Sequence, residues 1–203
     1  SWMAHMVFLA YARRLNSLRP RLAVERAAVL GLFVILGCLV AGSPDEMIDE
    51  YKVKAAFIFN FAKFVQWPAA SFQNAKQPTA ICVLGQDPFG GWLTSTLAGR
   101  DIEGRPFTVR NLTGARQVAG CHVLFMGSSE DRRLPAVLAE IRTPGTLTIG
   151  ESSAALDSGV MIVFRLEGGK IRFDINLDAA ERADLRISSR LLSLARSVAG
   201  NRK

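Results

Sequence analysis

The sequence predicts an α/β fold: a single compact domain whose mainly parallel sheet is flanked by helices, with a C-terminal hairpin and helix. Three observations carry this expectation. Ala80 to Gly85 and His122 to Gly127 are short apolar runs bounded by Pro78 and by glycines, the pattern of strands buried on both faces. Each leads through a small turn into a helical pattern, Gly91 to Ala98 and Leu134 to Ile141, so strand and helix alternate. Glu167-Gly168-Gly169 separates two further strand patterns, Val160 to Leu166 and Lys170 to Ile175, as a hairpin turn does.

The remaining elements follow in order. Asp45 to Glu50 is an acidic opening suited to a helix N-terminus, and Met47 to Gln66 reads as a helix that Trp67-Pro68 stops. Its apolar residues cover most of the circumference, leaving a narrow polar stripe of Lys52, Asn60, Lys63 and Gln66. A helix of this kind must be covered on more than one side, by the core or by another chain. Pro106 to Leu112 and Thr146 to Ile149 supply further strands. The Asp178-Ala-Ala-Glu181 spacing suits the cap of a short helix, and Ser188 that of a last one carrying Leu191, Leu192, Ala195 and Val198.

Ahead of this domain, Arg13, Arg14, Arg19, Arg21 and Arg26 precede an unbroken apolar run of 15 residues from Ala27 to Ala41. That is the pattern of an export signal, shorter than the roughly 20 residues a bilayer span needs and ending in small residues. Val40 and Gly42 fit a cut before Ser43, so residues 1–42 are expected to be a cloning scar, Ser1 to Met6, plus a signal peptide, with the domain at 43–203. An uncut anchor and a lipoprotein box with Cys38 as the acylated residue are the alternatives.

Removing the leader changes what the charge means. The whole chain carries +7, but the leader holds five of the 25 basic residues and one of the 18 acidic ones, leaving 20 against 17, or +3. That balance has no electrostatic footprint for nucleic acid. Cys82 and Cys121 remain as an even pair in a part of the chain bound for an oxidising compartment, and a disulfide is their natural reading. A loop of that length stabilises by about 4 kcal/mol in the entropy model. Two buried free thiols are the alternative.

No catalytic set stands out. Gly168-Gly169-Lys170 lacks the spacing of a phosphate loop. Gly127-Ser128-Ser129-Glu130 joins a strand to a helix, where Ser129 is expected to cap. Asp87, Phe89 and Gly90 lie in a loop at the carboxyl end of a strand, where open α/β sheets place ligands. Cys121 and His122 are strand neighbours that point to opposite faces and do not share a site. Asp174, Asn176 and Asp178 alternate toward one face, but the glycine and distal glutamate of a calcium loop are missing. Ser128, Ser129 and His122 are thin candidates for a hydrolase. Arg182, Arg186, Arg190 and Arg196 read as a solvated basic face. The residues call for no metal and no cofactor.

Several stretches, taken together, resemble the YfiR family of periplasmic proteins: Val53-Lys54-Ala55-Ala56-Phe57 through Phe64-Val65-Gln66-Trp67-Pro68, Cys82-Val83-Leu84-Gly85 with Asp87-Pro88-Phe89-Gly90, Gly120-Cys121-His122-Val123-Leu124-Phe125, and Arg172-Phe173-Asp174-Ile175-Asn176-Leu177 through Ile187-Ser188-Ser189 to Leu194-Ala195. The resemblance implies a compact α/β domain that often dimerises. It also implies a repressor, not an enzyme, that binds the periplasmic sensor domain of an inner-membrane diguanylate cyclase. The family's cysteine pair carries over to Cys82 and Cys121, while a second pair found in some members is absent. Asp184 stands where the family has glycine, a position that an αL conformation tolerates in Asp, and Ser158-Gly159-Val160-Met161 replaces a double glycine. Joined to the apolar helix, the resemblance makes Phe57, Phe59, Phe64 and Trp67 the expected partner or dimer contacts. The alternative function is a periplasmic small-ligand sensor that uses the loop of Asp87, Phe89 and Gly90.

Overall fold

The computed structural model describes residues 44–141 and 144–200, so the signal-peptide, cleavage and Cys38 expectations lie outside the described residues. Helix α1 (Pro44–Phe64) opens the chain and runs into a two-residue strand, β1 (Val65–Gln66). There follow β2 (Thr79–Leu84), α2 (Trp92–Leu97), β3 (Asp101–Ile102), β4 (Arg105–Leu112) and β5 (Val123–Met126). A 3-10 turn at 128–133 leads to α3 (Leu134–Glu140), then β6 (Leu147–Gly150), α4 (Ser153–Asp157), β7 (Ile162–Glu167) and β8 (Lys170–Asn176). The chain closes with α5 (Leu177–Arg182), β9 (Arg186–Ile187), α6 (Ser189–Leu194) and β10 (Ser197–Ala199).

Eight strands form one sheet in the order β10-β8-β7-β6-β5-β2-β4-β3. The five strands from β4 to β7 are mutually parallel, and β8 turns back antiparallel on β7. The turn holds Gly168 and Gly169 at φ 56° and 72°, the left-handed pair that a two-residue hairpin requires. Every residue of β2 and β5 is buried, because both faces of the sheet are covered. Ile81, Val83, Val123 and Phe125 pack with α1, α2 and α5 in one layer. Cys82, Leu84, Leu124 and Met126 pack with Leu134 and Val137 of α3 and Ala155 of α4 in the other.

Three local differences from the sequence expectations have clear causes. The first helix ends at Phe64, because Val65 and Gln66 leave it to pair antiparallel with Ile187 and Arg186. The cap of α5 is Asn176, whose Oδ1 accepts from the Ala179 N–H at 3.0 Å, instead of Asp178. A last strand, β10, joins the edge of β8 in parallel where the sequence shows only a helical tail. Ser188 caps α6, accepting from the Leu191 N–H, and Asp184 takes the αL conformation at φ 58°.

Candidate functional site

The parallel strands have the spatial order β4-β2-β5-β6-β7, which is 2-1-3-4-5 in chain order, so the winding reverses between β2 and β5. Open α/β sheets bind ligands in the crevice at the carboxyl ends of those two strands. Here α1 fills it. Lys54 is 4% exposed, and its ammonium donates to Glu50 Oε1 at 2.5 Å and to Glu151 Oε2 at 2.7 Å. The Tyr51 hydroxyl donates to the same Glu151 carboxylate at 3.1 and 3.2 Å, and the Ser128 N–H, just past β5, donates to Glu151 Oε1 at 3.1 Å. Burial, then the charge of Glu151 and its hydrogen bond, raise the Tyr51 phenol well above its ordinary range, so it stays a neutral donor. The protein's own carboxylate thus occupies the place where a bound anion would meet backbone amides.

The loop after β2 supports this arrangement. Asp87 is exposed, with Oδ1 accepting from the Phe89 N–H at 2.8 Å and Oδ2 from Asn111 Nδ2 at 3.2 Å. That Asx turn directs Phe89 inward, where its ring meets Tyr51 edge-on at 5.5 Å and Phe125 at 4.9 Å. Gly90 lies exposed at φ 55°. Gly85 must be glycine: at φ 89° a Cβ would come within 2.6 Å of Ser129 Oγ and 2.7 Å of Glu130 Oε1. Ser129 caps no helix; its hydroxyl accepts from the Gln86 N–H at 3.4 Å and links the two loops.

Away from the crevice, in the other layer, Cys82 and Cys121 form a disulfide with Cα atoms 5.9 Å apart. It joins β2 to the segment leading into β5, the two strands that flank the reversal. Arg110 wraps that segment, donating to Ala119 O and Gln117 O, and Thr146 Oγ1 donates to Cys121 O at 2.8 Å. His122 is 2% exposed. Its Nδ1 accepts from the Ala80 N–H at 3.0 Å, which leaves Nε2–H to donate to Ser71 O at 3.1 Å, and its ring stacks on Phe72 at 4.3 Å. Desolvation lowers its pKa below the ordinary value, keeping it neutral. Ser128 lies past the far end of β5, six residues or about 20 Å along an extended chain. The His–Ser hydrolase set is therefore not assembled.

The alternating acids near the tail serve packing. Asp174 is 1% exposed and accepts from Arg165 Nε at 3.0 Å, Arg196 Nε at 2.8 Å and Ser197 Oγ at 2.7 Å. Burial alone would raise its pKa, but these hydrogen bonds outweigh it and bring the carboxyl to about 2. Arg196, read from sequence as part of a solvated face, is thus the residue that pins β10 to the sheet. No group of three or more His, Cys, Asp or Glu placed to hold a metal occurs among the described residues.

The aromatic residues of α1, and Trp67 just beyond it, separate by position. Phe57 stacks edge-on against Phe173 at 5.7 Å and Phe164 at 6.1 Å. Phe59 packs on Phe107 at 5.8 Å beneath the Arg100 guanidinium, 4.6 Å from its ring. Phe64 lies under Arg190 at 5.3 Å. Trp67 lines a groove of about 900 Å³ with Pro68, Leu185, Ile187 and Leu192. Residues that the sequence reading did not select complete the outer surface: Val53 and Trp92 are 44% and 38% exposed, and Lys52 sits 4.9 Å over the Trp92 ring. The missed inward residue is Lys54, whose sequence signal is a lysine on the apolar arc of Ile58, Phe61 and Val65, four residues after Glu50.

These elements define a doubly wound α/β protein whose switch-point crevice is closed by its own side chains. Residues 51–196 match the YfiR/HmsC-like family, and the chain belongs to it. Members of that family are periplasmic regulators of cyclic-di-GMP signalling. Among solved structures, a conserved domain protein from Vibrio cholerae O1 biovar El Tor aligns at TM-score 0.51 and 12% identity over 73% of this chain. This chain spans 60% of that protein's length. The ABC domain in complex with L-Trp from Streptococcus pneumoniae aligns at TM-score 0.42 and 10% identity over 59% of this chain and 55% of that one. No helix among the described residues is long and apolar enough to cross a membrane.

Proposed function

We propose that this chain binds the periplasmic sensor domain of an inner-membrane diguanylate cyclase and represses it, lowering cyclic-di-GMP. Membership of the YfiR/HmsC-like family across residues 51–196 is the observation that carries this reading. A buried disulfide is consistent with an oxidising compartment, reached through the leader. Helix α1, with Phe57, Phe59 and Phe64, and Trp67 just beyond it supply contacts to the target or to a second copy in a homodimer. The small-ligand reading through Asp87, Phe89 and Gly90 receives less support, since Phe89 is committed to the core and Asp87 to its own loop. Cellular cyclic-di-GMP is measured in a strain lacking the protein, with and without an exported copy beginning near Ser43. A rise on deletion that the copy reverses is the expected result; an unchanged level rejects cyclase repression.

A further inference from the structure

From Tyr51 to Gln66 the chain carries three lysines and no acid. Lys54 turns inward, while Lys52 and Lys63 are exposed. Lys52, Ala56, Phe59 and Lys63 are spaced four, three and four residues apart and so share one face of α1. The neighbouring α2 region extends that face, with Trp92 under Lys52 and Arg100 over Phe59. Of the acids that flank it in sequence, Glu50 pairs with Lys54, and Asp101 accepts from the Gly104 N–H at 3.0 Å. Among the described residues no carboxylate pairs with the exposed cations of this strip, and Lys52, Lys63 and Arg100 lie over the rings of Trp92, Phe64 and Phe59. Cations positioned in this way lose little freedom on binding.

We infer that this strip is a docking surface for an acidic face of a protein partner, with Trp92 as its aromatic anchor. The inference rests on the proposed repressor function and names the chemistry of its target. Charge complementarity selects the occupant. A second copy meeting the strip across a two-fold axis would set cation against cation. A lipid surface is a poorer fit, because Val53 and Trp92 are the only large hydrophobic residues exposed there among the described residues, too few for an inserting face.

The test places a photo-crosslinking amino acid at Ala56 of the exported protein, with a control at the exposed Arg132 of the opposite layer. The crosslinked peptide is identified by mass spectrometry, and cyclic-di-GMP is measured in the same cells. The inference expects an Ala56 adduct to an Asp/Glu-rich segment of another protein, absent at Arg132. The adduct should fall about tenfold in Lys52→Glu/Lys63→Glu and persist in Lys52→Arg/Lys63→Arg, with melting temperatures unchanged. An adduct to a segment without acids, to another copy of this chain, or none at all overturns it, as does strip-dependent sedimentation with phosphatidylglycerol vesicles in place of an adduct. The two readings separate cleanly. An acidic adduct without a change in cyclic-di-GMP keeps the surface and rejects cyclase repression, whereas repression that persists in the glutamate variant keeps the function and rejects the surface.

Discussion

The two faces of α1 use the same residue types for opposite ends. On the inner arc Ala55, Ile58, Phe61 and Ala62 are completely buried, and the one lysine there, Lys54, is held between Glu50 and Glu151. On the outer arc Lys52 and Lys63, with Arg100 and Arg190 from neighbouring segments, lie over partly exposed rings. An inner cation is expensive to strip of its partners, because the buried carboxylate it leaves has no substitute. An outer cation over an aromatic ring adds little to folding and remains available to another molecule. Substitutions on the inner arc should therefore act on stability, and those on the outer arc on binding alone.

The largest expected effect is at Phe61, whose ring meets Phe173 at 4.9 Å and Phe164 at 5.5 Å. Phe61→Ala is expected to cost about 3–5 kcal/mol in chemical denaturation. Lys54→Ala should follow at about 3 kcal/mol, and Lys54→Met/Glu151→Leu should recover part of that loss, since it removes the uncompensated buried carboxylate while leaving Tyr51 OH and the Ser128 N–H without their acceptor. Recovery by Lys54→Arg alone, with no benefit from the double variant, would contradict the account of the crevice. The disulfide comes next: Cys82→Ser/Cys121→Ser is expected to lose about 2–4 kcal/mol, read as a lower denaturation midpoint under oxidising conditions.

A smaller effect separates His122 from Asp174 by pH. The pKa of His122 is lowered in the folded protein, so the unfolded chain binds the extra proton first as pH falls. Its contribution is complete above about 6.5, the unfolded value, and is lost progressively below it. Asp174 works in the other window: its folded pKa of about 2 makes its contribution complete above 3.8, and it is lost as pH falls toward 2. Stability curves from pH 7.5 to 5 should slope downward for the native protein and flatten in His122→Asn, while Asp174→Asn lowers the whole curve above 3.8 and changes its slope only in the acid limb.

What the sequence reveals here is mostly local. The apolar runs of β2 and β5, the Gly168-Gly169 turn, the Ser188 cap and the αL conformation of Asp184 each follow from a few adjacent residues whose backbone demands are specific. The crevice does not. Lys54 and Glu151 are 97 residues apart and meet only because β6 ends beside the first turns of α1. The Asp174–Arg196 pair spans 22 residues, and β10, three residues long, has no periodicity to read. Of the helix aromatics named from sequence, Phe57 turns toward the core, while exposed Trp92 comes from another element that only the fold brings alongside.

The most direct test of the two-faced helix is repression measured beside stability for one outer-arc variant, Lys52→Glu/Lys63→Glu, exported into the deletion strain. The account predicts a melting temperature within about 2 °C of the native protein, consistent with a surface change of under about 0.5 kcal/mol, and loss of the fall in cyclic-di-GMP. Full repression by that variant at normal abundance would contradict it, and would show that the outer face of α1 is surface and nothing more.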